Sequence, residues 1–174
     1  MPVKLQGAVA LRKALAAVEP TLAKETSKEI ASFLKPVTKQ ARGYIPSNEQ
    51  IISGWVVGKQ KGAWERVAYD STIAKRGITY KSTPSRPNRN GFSALASIFN
   101  KSAAGAIYET AGRKSGITGR FTPKLGGELK GDSQKMQGRA IFRAFEEDRG
   151  KAQDGVVKAI FRAKDKFDSM KDKV

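Results

Sequence analysis

Apolar side chains recur every three or four residues through the first 45 residues of the chain. That period places them on one face of a helix. Pro20 and Pro36 interrupt the segment, and a proline inside a helix removes a hydrogen bond and clashes with the preceding turn. Because the pattern keeps its phase across both, it predicts one long kinked helix, or two collinear helices with Pro20 in the first turn of the second. The stripe consists of Leu11, Leu15, Val18, Leu22, Thr26, Ile30, Phe33, Val37 and Ala41.

Between residues 51 and 112 the pattern changes to short runs of β-branched and aromatic residues separated by glycines. Such runs are typical of strands and hairpins. A loop with two prolines and an Asn-Gly pair, residues 82–91, divides them. The sequence therefore predicts a small antiparallel sheet. Its strands are expected at Trp55–Val57, Trp64–Tyr69, Ile78–Tyr80 and in the stretches FSALASIFN (92–100) and GAIYETAG (105–112).

Helical periodicity returns in the last part of the chain, after a glycine-rich and cationic segment at residues 113–131. Asp132 or Ser133 is suited to cap a helix start, because a short side-chain oxygen accepts from exposed backbone N–H groups. We therefore predict a single α+β domain over residues 1–174, with a helix at 1–45, a sheet at 51–112, a basic loop or arm at 113–131 and a helix at 132–171. The C-terminal stripe consists of Ile141, Phe145, Ala152, Val156, Ile160, Ala163, Phe167 and Met170.

The charge balance adds an expectation about partners. The chain has 33 Lys and Arg residues against 16 Asp and Glu residues, a formal net charge of +17. Such an excess favours binding to polyanions, which include nucleic acid, anionic membranes and acidic protein surfaces. No apolar run approaches the length of a membrane span, and the N-terminus lacks the apolar core of a signal peptide. We therefore expect the chain to be made in the cytoplasm and not to associate with a membrane.

The residue types argue against catalysis. Histidine and cysteine are both absent, which removes the commonest general base, the commonest metal ligand and any thiolate. The glycine spacing in GRKSGITGR lacks the Gly-Lys-Ser/Thr of a phosphate-binding loop, and an extended Phe-Thr-Pro follows it. We accordingly predict no enzyme, no catalytic residue, no metal site and no cofactor.

The cationic stretch at residues 113–131, named here the basic segment, holds the candidate contact residues. Two interpretations remain open for it: an arm that docks on a neighbouring subunit, or a contact with DNA. Glu109 is the single acid between Asp70 and Glu128, so we predict that it forms a structural ion pair with Arg113 or with a cation of an adjacent strand. A solvated carboxylate at a strand end is the alternative. The candidate inter-subunit or DNA contacts are Arg113, Lys114, Arg120, Phe121, Lys124 and Leu125.

Four pieces of the chain, in their order, resemble a known family. They are TLAKETSKEIASFLKPVTKQARGYIP, GWVVGKQKGAWERVAYD, GAIYETAGRKSG and GRAIFRAFEEDRGKAQDGVVKAIFRAKDKF. They are similar to the small head–tail joining proteins (neck or tail-completion proteins) of long-tailed bacteriophages. The most specific piece is GAIYETAGRK followed by a basic, glycine-rich loop. The pattern does not separate neck, tail-terminator and tail-completion roles, whose folds are related.

The resemblance implies a structural virion protein without catalytic activity, made in the cytoplasm of a host bacterium. Such proteins assemble as rings with six-fold or twelve-fold symmetry between the portal side of the head and the tail tube. The implied partners are further copies of the chain, the head-closure and tail-terminator proteins on either side, and the genomic DNA that passes through the channel. A nonspecific basic nucleic-acid-binding protein is the alternative function.

Overall fold

Helices carry most of the chain, and the sheet that accompanies them is small. The computed structural model describes residues 7–51, 54–58, 67–113, 125–131 and 137–171. Within these ranges it has six helices and one two-stranded antiparallel sheet, which confirms the predicted α+β class. The elements in chain order are α1 Ala8–Val18, α2 Pro20–Gly43, α3 Ser71–Gly77, β1 Ile78–Lys81, β2 Ser97–Asn100, α4 Ala103–Thr110, α5 Ile141–Glu147 and α6 Lys151–Lys171.

The N-terminal stripe forms two helices, and Pro20 is the first residue of the second. Glu19 separates them with a non-helical backbone (φ −136°, ψ 79°), so the two-helix alternative is confirmed. Pro36 remains inside α2. Val18, the last residue of α1, is 68% exposed. The buried members of the stripe are Leu15, Leu22, Thr26, Ile30, Val37 and Ala41.

The predicted sheet is larger than the observed one. The strand at Ile78–Tyr80 is confirmed by β1, and the end of FSALASIFN forms β2. Within the described part of the other two runs, Val57 and Tyr69 form an isolated parallel bridge; residues 59–66 lie outside the described residues. The helix α3 was not predicted, although Asp70 caps it by accepting hydrogen bonds from the backbone N–H groups of its first turn.

The prediction of a strand at GAIYETAG is wrong, because these residues form α4 and the turn after it. Ser102 caps the helix: its Oγ accepts from the Gly105 N–H at 3.0 Å. Asn100 in turn accepts from the Ser102 N–H at 2.8 Å and holds the cap in place. Ala104 and Tyr108, four residues apart, then lie on one buried face.

The predicted C-terminal helix is broken in two, and residues 137–140 before its first part are not helical. Arg149 and Gly150 have positive φ values of 52° and 81° and separate α5 from α6. The proposed caps Asp132 and Ser133 lie outside the described residues. Of the C-terminal stripe, Ala152, Ile160 and Ala163 are buried, whereas Phe145 and Met170 are 36% and 46% exposed.

The chain divides into two compact units, each made of separate stretches. Unit 1 contains Met1–Pro36, Tyr80–Ser97 and Gly150–Val174, and unit 2 contains Val37–Thr79 and Ile98–Arg149. The single domain over residues 1–174 stays a prediction. Among the described helices, none has both the length and the apolar character that a bilayer crossing requires.

Unit 1 is built on the packing of α1 and α2 against α6. Leu15, Leu22 and Ala163 form its apolar cluster, with Leu11, Ala23 and Phe167 packed around it. Gly155 of α6 lies directly against the ring of Phe33, so closely that a Cβ atom at position 155 would overlap the ring. Two ion pairs on the surface join α6 to α2: Arg162 with Glu29 at 2.5 Å and Lys166 with Glu25 at 3.4 Å.

Candidate functional site

The described part of the basic segment adjoins a buried polar cluster in unit 2, where α4 ends and α5 begins. We name it the α4–α5 junction and define it by Tyr108, Glu109, Gly138 and Arg139. All four residues are buried. Burying charged side chains is unfavourable unless their polar atoms are matched by partners, so the partners of each one decide what the junction does.

Glu109 acts as the N-cap of a helix that is distant in sequence. Its side chain is 5% exposed. Oε2 accepts from the Ala140 N–H at 2.8 Å, Oε1 accepts from the Phe142 N–H at 3.0 Å, and both oxygens accept from the Ile141 N–H. The first backbone N–H groups of a helix have no partner within it and form the positive end of the helix dipole. The carboxylate accepts hydrogen bonds from these N–H groups and places a negative charge at the positive end of the dipole. Ala140, at the N-cap position, provides no side-chain cap of its own.

Gly138 allows the carboxylate to approach α5. A Cβ atom at this position would overlap the Glu109 carboxylate and the Phe142 ring. The backbone of Gly138 also pairs with Lys130 in an isolated antiparallel bridge, with N–O distances of 3.0 and 3.1 Å. A glycine is therefore required here to place the end of the basic segment, the carboxylate and α5 side by side.

Arg139 connects the two ends of the basic segment. Its guanidinium is buried and donates from Nη1 to the carbonyl oxygens of Tyr108 and Ala111 at 3.0 and 2.6 Å, and from Nε to the Gly126 carbonyl at 3.1 Å. Burial lowers the pKa of Arg139, while the neighbouring Tyr108 and Glu109 act in the opposite direction. Since Ala111 precedes the segment and Gly126 lies near its end, one side chain holds both.

The prediction of an ion pair between Glu109 and Arg113 is wrong, because the carboxylate has different partners. The hydrogen bonds of the carboxylate go to the backbone amides of α5, because α4 is a helix and directs residue 109 toward them. Arg113 instead places its guanidinium over the Phe142 ring, 4.9 Å from the ring centre. Burial lowers the pKa of Arg113, and the charge of Glu109 raises it. The two side chains thus interact through space around the start of α5.

Of the other candidate contacts, one is described. Leu125 is 3% exposed and packs within unit 2, so in this structure it is not available to contact a neighbouring subunit, and that assignment is corrected. It was predicted as a contact because an apolar residue in a polar loop needs a site away from water. The fold of the chain itself supplies that site. Lys114, Arg120, Phe121 and Lys124 lie outside the described residues.

Two residues of the junction were missed by the sequence analysis. Arg139 reads as one more surface cation in a chain with 33 of them, and its carbonyl partners are 13 to 31 positions away. The sequence contained one signal for Gly138: it stands directly before Arg139 and shortly before the apolar residues at the start of α5. A glycine at that place is typical of close approach by another group.

Within the described residues, no three acidic side chains are grouped in a way that would hold a metal ion. Comparison of the chain with family models, with curated proteins and with solved structures gives no match.

Proposed function

We propose that the chain is a structural virion protein of the neck of a long-tailed bacteriophage, which assembles as a ring joining the portal side of the head to the tail tube. The proposal rests on the resemblance of GAIYETAGRK and the basic loop after it to neck proteins, in which this piece is expected to be a strand, whereas here it forms α4. The observation that supports it is that Tyr108 and Glu109 of the α4–α5 junction belong to this piece. Ala111 of this piece accepts a hydrogen bond from Arg139, which also donates to the Gly126 carbonyl, so Arg139 holds the residue before the basic segment and one near its end.

The burial of charge at the junction supports a contact role for the basic segment. Removing a carboxylate and a guanidinium from water is unfavourable by several kcal/mol per ion before compensation. An apolar pair would hold the two helices together without that penalty. Polar partners, however, bind specific backbone atoms, and the atoms bound here are the carbonyls of Ala111 and Gly126 at the two ends of the segment. Fixed ends lower the entropy that a segment loses when it docks.

The composition of the segment favours a protein surface as its partner. Lys114, Arg120 and Lys124 are spread along it, and Phe121 stands among them. Spread cations with an aromatic anchor suit a wide interface with an acidic rim. A contact in which the segment of one copy binds a different surface of the next is head-to-tail, and such contacts close into a ring when the rotation between neighbouring copies divides a full turn evenly. The resemblance implies six-fold or twelve-fold symmetry, with DNA passing through the channel.

The test is the mass of the purified chain in solution, with negative-stain imaging of the same sample after nuclease treatment. We expect closed rings for the natural sequence. Phe121→Ala combined with Arg120→Gln should leave the fold intact and reduce the rings to monomers. The matched control is Phe92→Ala combined with Arg89→Gln, which changes an exposed aromatic and an exposed cation of another loop and should leave the rings unchanged.

A nonspecific nucleic-acid-binding protein is the second candidate, and the net charge of +17 is the observation in its favour. Its prediction differs in one respect. Binding to nucleic acid neutralises phosphates wherever cations are available, so the two double variants should weaken it to a similar extent. A chain that is monomeric without nucleic acid, and that loses DNA equally in both variants, would refute the neck proposal.

A further inference from the structure

Unit 1 contains a cationic groove that has no part in the α4–α5 junction. It has a volume of about 690 Å³ and lies among α1, the beginning of α2 and the stretch from Thr83 to Pro87. No acidic side chain is among the described residues that line it. Five cations do so: Arg12, Lys13, Lys24, Lys28 and Arg86.

Arg12 is the buried member of this set and has unused hydrogen-bonding capacity. Its side chain is 4% exposed. Nη2 donates to Ser27 Oγ at 2.7 Å and to the Ser82 carbonyl at 3.1 Å. Nη1 has no hydrogen-bond partner among the described residues. Burial lowers the pKa of Arg12. A buried guanidinium whose hydrogen bonds go only to neutral partners keeps an uncompensated charge, and an anion in the groove would offset that charge.

The remaining lining of the groove is apolar. Ala16, Pro20, Ala23, Pro84 and Pro87 provide it, and lysine stems add methylene surface below their charged heads. No aromatic residue is among the described lining residues. Nonspecific binding of single-stranded nucleic acid relies on aromatic platforms for the bases, so this lining is poorly suited to it. Carboxylates alternating with aliphatic side chains match both parts of the surface.

We propose that this groove binds an acidic peptide segment of a partner protein. The guanidinium of Arg12, held in place by Ser27 and the Ser82 carbonyl, receives one carboxylate at the bottom of the groove. Lys24 and Lys28, one turn apart on α2, receive carboxylates at its edge. Aliphatic side chains of the peptide pack on the prolines and alanines. This site is independent of the ring and of the basic segment.

The probe is a fluorescently labelled peptide of glutamates with interspersed leucines, and binding is followed by anisotropy on the full chain. Lys24→Gln with Lys28→Gln should weaken binding by about five-fold or more, since two carboxylate contacts are lost. The matched control is Lys35→Gln with Lys39→Gln, which removes two exposed cations with the same spacing on the same helix but outside the groove. It should change binding by less than about two-fold.

Arg12→Lys tests the bottom of the groove. It keeps the charge and loses the planar fork, so we expect weaker peptide binding with an unchanged dependence on Lys24 and Lys28. If this variant fails to fold, the two lysine pairs still decide the question. An equal loss of peptide binding in the two lysine double variants, or no binding of the peptide to the natural sequence, overturns the proposal.

Two competing ligands test whether the groove instead binds nucleic acid or a small anion. A thymidine oligonucleotide of equal charge that displaces the peptide and binds more tightly would identify a nucleic-acid groove. Inorganic phosphate that displaces it at low concentration would identify a small-anion site at Arg12. Either result overturns the peptide proposal, whereas failure of both to compete at the peptide's own concentration supports it.

Discussion

At the scale of single residues, one carboxylate decides how α4 and α5 meet. Glu109 accepts hydrogen bonds from three consecutive backbone amides in a place closed to water. Each of those donors would be unsatisfied without it, and an unsatisfied buried donor costs about 1–3 kcal/mol. The side chain therefore acts as a structural cap across a long stretch of sequence.

Replacement of Glu109 by glutamine tests this role. An amide has one acceptor oxygen, and its NH₂ group would face N–H donors, so we expect a loss of about 2–3 kcal/mol of unfolding free energy. For a chain of this length that corresponds to a fall of roughly 5–10 °C in Tm. Thermal melting followed by circular dichroism measures it. Glu146→Gln, an exposed glutamate of α5, is the control and should melt like the natural sequence. Equal midpoints for both variants would contradict the cap.

Tyr69 gives the fold a dependence on alkaline pH. The residue is fully buried, its hydroxyl donates to the Pro46 carbonyl at 2.6 Å, and its ring lies 5.1 Å from that of Trp55. Burial is the main cause that raises the pKa of Tyr69, with smaller effects of Tyr108 and Asp70. The folded chain therefore keeps the phenol proton at pH values where the unfolded chain releases it. Stability is fully present below the unfolded pKa of about 10 and falls as pH rises above it.

Tyr69→Phe separates this effect from other alkaline titrations. At neutral pH it should be less stable by about 1–2 kcal/mol, because the Pro46 carbonyl loses its donor. Above about pH 10 its stability should fall less steeply than that of the natural sequence, because the variant has no phenol at position 69 to ionise. Urea titrations between about pH 8 and 11 measure both slopes. If the unfolding free energies of the variant and of the natural sequence change in parallel over this pH range, the ionisation of Tyr69 does not contribute to the loss of stability.

At the scale of elements, glycines matter more for contact than for flexibility. In the sequence, Gly155 reads as a weak point of the C-terminal helix, since glycine costs roughly 1 kcal/mol relative to alanine there. In the structure it is the place where α6 lies against Phe33 of α2. Helix propensity therefore predicts that alanine at position 155 raises the stability, whereas packing predicts that it lowers the stability.

Gly155→Ala decides between them. The added methyl group would overlap the Phe33 ring, and overpacking a close helix contact costs about 1–3 kcal/mol, which exceeds the gain in propensity. We therefore expect a lower Tm. The control is Gly43→Ala, at the last residue of α2, where an added Cβ meets nothing within 4 Å and stability should stay the same or rise slightly. A stabilised Gly155→Ala would mean that the ring moves aside easily.

The elements that could be predicted are those with long periodic stripes. Both N-terminal helices, their break at Pro20 and most of α6 follow from the spacing of apolar residues. The short element α4 could not be identified, because eight residues with few polar positions fit a strand as well as a helix, and the deciding interaction is the cap made by Ser102. The α4–α5 junction was beyond prediction for a similar reason. Its residues come together only after folding, and Arg139 has the same residue type as many exposed cations.

At the scale of the whole molecule, the net charge of +17 sets two opposite responses to salt. Copies of the chain repel one another, and added salt screens that repulsion. Binding to nucleic acid depends on the release of counterions and weakens steeply as salt rises. A steep loss with salt therefore marks polyanion binding, whereas in self-assembly the screening of the repulsion between copies opposes the screening of their contacts.

We expect rings to persist or to become more abundant between about 0.05 and 0.3 M salt. Sedimentation or light scattering of nuclease-treated protein measures their mass across that range. The same measurement with added duplex DNA serves as the comparison, since any complex with DNA should dissociate over these concentrations. An assembly that disappears with nuclease and with salt in the same way as the DNA complex would argue against the neck proposal.

Arg139 fixes the separation of Ala111 and Gly126 from outside the interval that these two residues bound. The sequence between them does not have to provide these two hydrogen bonds, whereas residue 139 has to be kept for both. In evolutionary terms, we therefore expect substitutions to accumulate more readily at positions 114–124 than at position 139.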